Sequence, residues 1–245
     1  MQIFLFLFCI IFLMAFLKTP KVKGFFGELE VRNILKKLKK DEFEILHNIL
    51  LEKDGKTTQI DHIIVGRTGI FVVETKNYSG WIFGSEHSKF WTQSFYKSKR
   101  RFQNPVHQNY GHIKYLEYHL QDYTGPFFSV IAFGKKGTIK KMDIMSDYIH
   151  VVPTEELPRV VHSKTVVGMS TDSVRRVAEM ICAANCSGKG RSKKHVQTIQ
   201  QNIRLKKEKI SNNICPKCGS GLIDKIGKYG SFTSCSQYPS CRFTN

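Results

Sequence analysis

The sequence predicts an α/β fold, with one β-sheet held between helices, joined to a small metal-binding segment. Runs rich in β-branched residues alternate with runs whose apolar residues recur at helical spacing, and this alternation extends over residues 23–185. Four cysteines in two close pairs within residues 213–245 predict the metal-binding segment. The chain of 245 residues, 41% of them hydrophobic, can bury one core of ordinary size plus small attachments.

The chain is strongly basic, with 38 Lys and Arg against 20 Asp and Glu and a net charge of +18. A charge of this size says nothing about the fold, but it favours polyanionic partners, either nucleic acid or the anionic face of a membrane. Solubility alone is the plain alternative. We interpret the basic stretch over residues 186–212 as a linker, helical in part, between two folded parts.

Residues 3–17 are apolar throughout, apart from the thiol of Cys9. As a helix this run is about 22 Å long, which approaches the ~30 Å hydrocarbon core of a bilayer. Basic residues follow it at Lys18, Lys21 and Lys23, so the positive-inside tendency places the main body in the cytoplasm. We therefore predict a single-pass membrane anchor over residues 1–17, with a buried core helix as the alternative.

A first helix is predicted from Phe25 to Lys40. Its apolar stripe contains Val31, Ile34, Leu35 and Leu38. Glu28 lies at the edge of that stripe, and its side chain either points over the sheet towards a metal site or faces solvent. Phe43 to Leu51 is predicted as the first strand.

The central prediction is a β-hairpin in which two apolar runs flank the four-residue turn Gly66–Gly69. Counting back from the turn in steps of two places Asp61 opposite Glu74, and Gln59 opposite Lys76. All four polar side chains then share one face of the hairpin.

Two carboxylates on paired positions lie with their Cβ atoms about 5 Å apart and repel, unless a cation lies between them. Mg²⁺ takes oxygen ligands from one or two carboxylates together with phosphate and water, and a nearby ammonium can hold the attacking water. Asp61 and Glu74 are therefore candidate Mg²⁺ ligands, Lys76 a candidate for positioning water, and Gln59 an assisting residue. A solvated hairpin face with a Glu–Lys pair is the alternative. The apolar neighbours of both acids favour a buried site.

Downstream, basic and aromatic residues alternate over residues 94–102, which suits a surface that follows a nucleic-acid backbone. The candidate contacts are Lys97, Arg100 and Arg101. A solvated loop is the alternative. Both tryptophans, Trp81 and Trp91, are predicted to lie in the core.

The remaining pattern completes the α/β domain. A helix is predicted from Pro105 to Gln121, strands over Phe127–Phe133 and Tyr148–Val152, a basic loop over Lys135–Lys141, and a helix over Thr171–Ala184. The histidines of the first of these helices have no metal-ligand spacing to another His or Cys, so they are predicted to be surface or core residues. They are His107, His112 and His119.

The strongest local signal is the cysteine pattern Cys215-Pro-Lys-Cys218 followed by Cys235 and Cys241. Two cysteine pairs separated by a strand-length segment supply the four thiolates that a tetrahedral, structural Zn²⁺ needs. A segment this small has too little core to fold without its metal. Reduced free cysteines are the alternative.

Three motifs, in order, resemble the NERD (nuclease-related) domain, a branch of the PD-(D/E)XK nuclease-like superfamily. They are KGFFGE from Lys23, QIDHIIVG from Gln59 and GIFVVETKNYSG from Gly69. The resemblance covers about residues 23–135 and implies a PD-(D/E)XK-like mixed sheet flanked by helices, with a Mg²⁺-dependent site for nucleic-acid cleavage. Asp61 takes the place of the family's aspartate, and Glu74-Thr75-Lys76 that of its ExK motif. Gln108 resembles the Gln of the NPxxQ element and is a candidate for orienting substrate or water.

The cysteine segment resembles the C-terminal zinc ribbon of bacterial type IA topoisomerases, which implies binding of single-stranded DNA. The rest of the chain has no resemblance to a topoisomerase body. On the ribbon, aromatic side chains can stack on bases while cations meet phosphates. The candidates are Lys217, Phe232, Tyr238 and Arg242.

Together these features predict a membrane-anchored, Mg²⁺-dependent nuclease that acts on DNA. Its parts are an anchor (residues 1–17), a nuclease-like domain (23–185), a basic linker (186–212) and a C4 zinc ribbon (213–245). A second hypothesis is a non-catalytic DNA-binding or tethering protein that keeps the nuclease fold. A third has the basic surface binding anionic lipid.

Overall fold

The computed structural model describes residues 20–38, 42–166, 168–188, 197, 201, 203–227 and 230–244, with side chains from residue 24 onwards. The chain divides into two units, Met1–Ser187 and Gly188–Asn245. The predicted anchor over residues 1–17 lies outside the described residues, as do residues 189–196, 198–200 and 202 of the predicted linker. No helix in the described part of the chain is both long and apolar enough to cross a bilayer.

The first unit contains nine strands and four α-helices among its described residues. The strands are β1 (Phe43–Lys53), β2 (Lys56–Gly66), β3 (Gly69–Lys76), β4 (Gly80–Ser85), β5 (Phe90–Ser94), β6 (Lys99–Gln103), β7 (Phe127–Phe133), β8 (Gly137–Asp143) and β9 (Ile149–Pro153). The helices are α1 (Pro20–Leu35), α2 (Pro105–His119), α3 (Leu157–His162) and α4 (Thr171–Ala184). The mixed α/β class, with sheets flanked by helices, is confirmed.

The larger sheet has five strands in the order β1-β2-β3-β7-β9, so β3 is its central strand. β1, β2 and β3 are antiparallel neighbours, whereas β7 and β9 run parallel to β3. Side chains alternate along a strand, and Phe71 and Val73 therefore pack towards α1 and α3, while Ile70 and Val72 pack towards α2 and α4. Both faces of the central strand are buried.

The predicted hairpin is confirmed in its turn and in the pairs next to it, because Gly66 pairs with Gly69, Val65 with Ile70 and Ile63 with Val72. The ladder does not extend to the predicted pairs Asp61–Glu74 and Gln59–Lys76. The turn requires glycine at Gly69, where φ is +146° and a Cβ would lie 2.6 Å from the carbonyl oxygen of Pro126.

A second sheet, with strands in the order β6-β5-β4-β8, packs Ile82 and Trp91 against Phe133. The prediction of a single sheet is therefore wrong. The prediction of a loop over Lys135–Lys141 is also wrong from Gly137 onwards, because that segment forms β8 and pairs in parallel with β4. Partners so distant in sequence leave no local signal.

The second unit is described over a helix at residues 203–211 and a hairpin of β10 (Leu222–Gly227) and β11 (Gly230–Cys235). Its small core consists mainly of cysteine side chains and Phe243.

Candidate active site and zinc centre

The ladder between β2 and β3 ends at the pair His62–Val73, one position before Asp61 and Glu74. Where it ends, the backbone N–H of Thr75 donates to Asp61 Oδ2 at 2.9 Å. The Asp61 side chain thus replaces the next ladder bond, which fixes its carboxylate at the divergence of the two strands.

Glu74 is the buried acid of the site, and both of its carboxylate oxygens have partners. Lys76 Nζ donates to Oε1 at 2.6 Å, and His112 Nε2 lies 3.3 Å from Oε2. His112 Nδ1 lies 2.8 Å from the hydroxyl of Thr58. A proton on Nε2 satisfies both contacts, because the imidazole then donates to Glu74 and accepts from Thr58.

These contacts keep Glu74 and Lys76 charged. Burial alone would raise the pKa of Glu74, but the hydrogen bond from His112 and the ammonium of Lys76 outweigh it and lower the pKa below its usual value. Burial likewise opposes the charge on Lys76, yet the carboxylate of Glu74 raises the pKa of Lys76 above its usual value. Lys76 is therefore a hydrogen-bond donor at neutral pH.

Asp61 has the opposite electrostatics. Burial, followed by the nearby negative charge of Glu74, raises the pKa of Asp61 to about 8. Glu28 adds to this repulsion, while the Thr75 N–H opposes it. The site therefore concentrates more carboxylate charge than Lys76 alone balances.

Glu28 of α1 belongs to this electrostatic cluster. Burial raises the pKa of Glu28, Arg32 opposes that effect, and Glu74 adds to it. With the amide of Asn48 turned so that its nitrogen faces the acid, Asn48 donates to Glu28 Oε2 at 3.2 Å. The sequence left open whether the side chain of Glu28 points over the sheet or faces solvent, and in the structure it points towards the sheet.

Helix α2 supplies the other side of the site. Asn104 accepts from the N–H of Val106 and caps the helix, with Pro105 in its first turn. Gln108 accepts from Lys76 Nζ at 3.0 Å, so Lys76 is held by groups on two elements. Asn109 donates to the carbonyl of Val72 on β3 and to the hydroxyl of Ser129 on β7, which fixes the helix over the sheet.

His112 was predicted to be a surface or core residue, and its contact with Glu74 was missed. The signal that would have found it is its spacing, because Gln108 and His112 are four residues apart and lie on the same face of α2. Gln59, by contrast, lies past the end of the β2–β3 ladder, pairs with Leu50 of β1 and exposes its side chain.

The donor set fits a hard divalent cation. Asp61 and Glu74 supply two carboxylates, and burial together with the charge of Glu74 raises the pKa of Asp61, a repulsion that a cation would relieve. Mg²⁺ commonly takes one or two carboxylates with water and phosphate. Among the described residues, the only group of three or more His, Cys, Asp or Glu with all ligand atoms within 4.8 Å is the cysteine cluster.

The predicted basic contacts lie at the β5–β6 end of the second sheet. Lys97 is exposed in the turn between these strands, next to Tyr96, which is 99% exposed. The guanidinium of Arg100 lies 6.0 Å from the ring centroid of Phe95, and that of Arg101 lies 5.2 Å from that of Phe90.

The four cysteines of the second unit converge. The Sγ atoms of Cys215, Cys218, Cys235 and Cys241 all lie within 4.8 Å of one another. Those of Cys218 and Cys235 are 3.3 Å apart, and those of Cys215 and Cys241 are 3.7 Å apart. Tetrahedral Zn²⁺ with bonds of about 2.3 Å requires sulfurs about 3.8 Å apart, so the cluster fits a structural zinc ion. Gly219, at φ +80°, folds the chain back so that its N–H donates to the carbonyl of Cys215.

The predicted DNA contacts of the ribbon are exposed. They are Lys217, Phe232, Tyr238 and Arg242. Lys225 Nζ lies 5.1 Å from the ring centroid of Tyr238, which places a cation beside an exposed aromatic ring.

Comparison with known proteins identifies both domains. Residues 23–134 match the nuclease-related domain family, NERD, and residues 212–245 match the topoisomerase DNA-binding C4 zinc finger family. An uncharacterised protein of Bacillus anthracis is 42% identical over 182 residues, which span 74% of this chain and 85% of the relative. One crystal structure, of a protein of unknown function, aligns with 65% of this chain and 96% of the other chain, at 12% sequence identity. Its TM-score of 0.31 is too low to establish a common fold.

The ribbon has relatives of its own. DNA topoisomerase 1 of Methanocaldococcus jannaschii is 56% identical over 36 residues, which are 15% of this chain and 5% of the topoisomerase. The similarity is confined to the ribbon, so it gives no reason to assign topoisomerase activity to this chain. The chain belongs to the NERD (nuclease-related domain) family, and it carries a topoisomerase-type C4 zinc ribbon after that domain.

Proposed function

We propose that this protein is a Mg²⁺-dependent nuclease that acts on DNA. The observation that carries the proposal is the buried Glu74–Lys76 pair at 2.6 Å with Asp61 beside it, on the central strand of a NERD domain. An ion pair at such a position costs desolvation, and carboxylates whose pKa is strongly perturbed by burial and by a specific charged partner are typical of functional sites.

In this proposal Asp61 and Glu74 hold the cation and Glu28 adds negative charge beside them. When bound, Mg²⁺ would neutralise the charge that develops on the scissile phosphate. Lys76 stays protonated and donates a hydrogen bond to the attacking water or to a phosphate oxygen. Gln108 holds the ammonium of Lys76 in place, and Gln59, exposed at the rim, assists in positioning the substrate.

A second candidate function is DNA binding without cleavage. It is favoured by the fact that both oxygens of Glu74 already have protein partners, Lys76 and His112. A cation must then use the remaining lone pairs of Glu74 or displace Lys76. In either case the zinc ribbon would hold DNA, and stacking by Phe232 and Tyr238 suits a single strand.

The two functions are separated by a cleavage assay in which Mg²⁺ is added or omitted, since a chelator would also strip the zinc. We expect Mg²⁺-dependent degradation of DNA by the parent chain and none by Asp61→Asn, which keeps an acceptor for the Thr75 N–H but cannot ionise to bind a cation. Asp54→Asn, in the exposed β1–β2 turn, is the matched control.

The same variants should differ in metal binding. Because Asp61 must lose its proton to bind a cation, we expect the affinity for Mn²⁺ to increase as the pH rises towards about 8 in the parent, and not in Asp61→Asn. Equal cleavage by parent and Asp61→Asn would refute the nuclease assignment. Mn²⁺ binding without cleavage would favour the second candidate.

We also propose that residues 1–17 anchor the protein in a membrane with its main body in the cytoplasm, on the strength of the apolar run and the lysines after it. The expected result is that the chain sediments with membranes and resists extraction by high salt, while a chain starting at residue 18 stays in the supernatant. Release of the longer chain by salt alone would contradict the proposal, since salt screens charges but does not extract a spanning helix.

A further inference from the structure

The second sheet, β6-β5-β4-β8, buries one face and exposes the other. On β4, Ile82 points into the core while Trp81 on the opposite face is 53% exposed. On β5, Trp91 is fully buried while Phe90 is 39% exposed. The prediction that both tryptophans lie in the core is therefore wrong for Trp81. Trp81 and Phe90 therefore place aromatic rings on the solvent side of the same sheet, where neighbouring exposed apolar groups can form a binding surface.

The exposed aromatic rings of this face are accompanied by cations. Lys140 Nζ lies 5.3 Å from the ring centroid of Trp81. Lys89 and Arg101 lie 5.3 and 5.2 Å from that of Phe90. In a regular strand, Lys140 and Lys141 would point to opposite faces of the sheet. The bulge between β4 and β8 leaves both side chains exposed, so the solvent face gains a second positive charge.

These residues form a connected surface. Phe83 pairs with Lys141 on one side and Thr92 on the other, and Thr92 pairs with Arg101. Four strands about 4.8 Å apart make this row about 14 Å wide. The exposed acid near its end is Asp143. We call this surface the outer face; it comprises Trp81, Phe83, Lys89, Phe90, Thr92, Lys99, Arg101, Lys140 and Lys141.

We propose that the outer face binds single-stranded nucleic acid, with bases stacked on Trp81 and Phe90 and phosphates held by the cations between and around them. Stacking on an aromatic ring needs an unpaired base, because the faces of bases in a duplex are covered by their neighbours. Lysine side chains change rotamer within nanoseconds, so Lys140 can leave the ring of Trp81 for a phosphate. Charge complementarity also fits, given the net charge of +18.

Few residues separate the outer face from the candidate active site in the sequence. Trp81 follows Lys76 by five residues, so their Cα atoms are at most about 18 Å apart. Gln93 of β5 donates to the carbonyl of Ser79 in the connecting segment, which ties the two sheets together there. The Trp81 end of the outer face is therefore the end that the short β3–β4 connection joins to the strand carrying Glu74. Binding at this face needs no cleavage, so its test is separate from that of the nuclease.

Tryptophan fluorescence reports on this face almost alone, because the chain has two tryptophans and Trp91 is fully buried. The chain in detergent is titrated with oligothymidylate without Mg²⁺. We expect quenching of the tryptophan emission in the parent and in Asp61→Asn, and none in Trp81→Phe. Quenching that persists in Trp81→Phe, or no quenching in the parent, would overturn the proposal.

Affinity is measured separately by anisotropy of a labelled oligothymidylate, in chains whose ribbon residues Phe232 and Tyr238 are both alanine. Trp81→Ala should weaken binding by about tenfold. Arg101→Ala should weaken it too and should reduce the slope of log affinity against log salt by about 0.7. The matched control is Lys53→Ala, because Lys53 lies 4.9 Å from the ring of Tyr118 on another part of the domain and should have no effect.

Anionic vesicles provide the competing outcome. A blue shift of Trp81 emission with vesicles containing phosphatidylserine, together with no response to oligothymidylate, would assign the outer face to a membrane surface and overturn the proposal. Equal loss of affinity in Arg101→Ala and Lys53→Ala would show that only net charge matters, and it would overturn the proposal as well.

Discussion

Lys76→Met should reduce the rate of DNA cleavage by roughly 10²–10³-fold, the usual loss when a single donor to the charge of a transition state is removed. The methionine side chain fills a similar space but has no charge and no donor. Lys76 lies 2.6 Å from Glu74 and 3.0 Å from Gln108, so the ammonium is held at one position rather than sampling many. A donor positioned in this way costs no reorganisation during the reaction.

Lys76→Met also changes the pKa of Glu74. Without the ammonium, burial raises the pKa of Glu74, and the effect of His112 still opposes it. Metal binding by Lys76→Met should therefore weaken at low pH and recover as the pH rises and Glu74 loses its proton. Cleavage that recovers together with metal binding would mean that Lys76 only keeps Glu74 charged. Cleavage that stays low at a pH where metal is bound would assign the lysine to the chemistry.

Lys114→Met is the control for removing one exposed lysine of the same domain, because Lys114 pairs with Glu117 on the solvent side of α2. We expect no change in its cleavage rate, since exposed ion pairs contribute little. Lys76→Arg is the conservative variant. It keeps the charge but needs more room at a buried position, so partial activity is the expected result.

Loss of zinc should unfold the second unit and leave the first folded. The core of the second unit contains Cys215, Cys235 and Cys241 with Phe243, so its apolar interior is largely made of metal-binding thiols. In small zinc-binding peptides, metal binding contributes on the order of 10–16 kcal/mol to the free energy of folding. The packing of one short hairpin supplies far less. Cys235→Ser should therefore abolish the β10–β11 hairpin and weaken DNA binding by at least about tenfold.

The measurements are zinc content per chain, amide chemical shifts of residues 222–235, and the thermal transition of the first unit. Cys182→Ser is the matched control, because Cys182 is an exposed free cysteine of α4. We expect one zinc per chain in the parent and in Cys182→Ser and none in Cys235→Ser, with an unchanged thermal transition for the first unit in all three. A hairpin that persists without zinc would contradict the assignment of a metal-dependent fold.

Local chemistry made part of the fold predictable. The turn at Gly66–Gly69 set the register of β2 and β3, and the helix over Thr171–Ala184 was predicted with its observed bounds. The cysteine spacing predicted the cluster because both pairs are close in sequence and the hairpin between them is short. In each case the information lies within a few residues of the element it specifies.

The errors concern contacts between distant segments. The alternation of side chains along β4 predicts that Trp81 and Ile82 point in opposite directions, but it does not predict which of the two faces the core. The segment that forms β8 has the composition of a loop, and its partner β4 lies more than 50 residues earlier in the chain. His112 reaches Glu74 only because Asn109 fixes α2 over β3 and β7. The end of the ladder at His62–Val73, which frees Asp61 to bond Thr75, also depends on the surrounding sheet.

The central place of β3 has a consequence for inactivation. β3 has a hydrogen-bonded neighbour on each side, β2 and β7, whereas β1 and β9 are edge strands that can fray first. Glu74, Thr75 and Lys76 lie past the end of the β2–β3 ladder, but they stay paired with residues 131–133 of β7, and the N–H of Thr75 also bonds Asp61. We therefore expect their amide protons to exchange more slowly than those of the edge strands. On heating, catalytic competence should disappear at the same temperature as the domain as a whole, and not in an earlier step confined to the site.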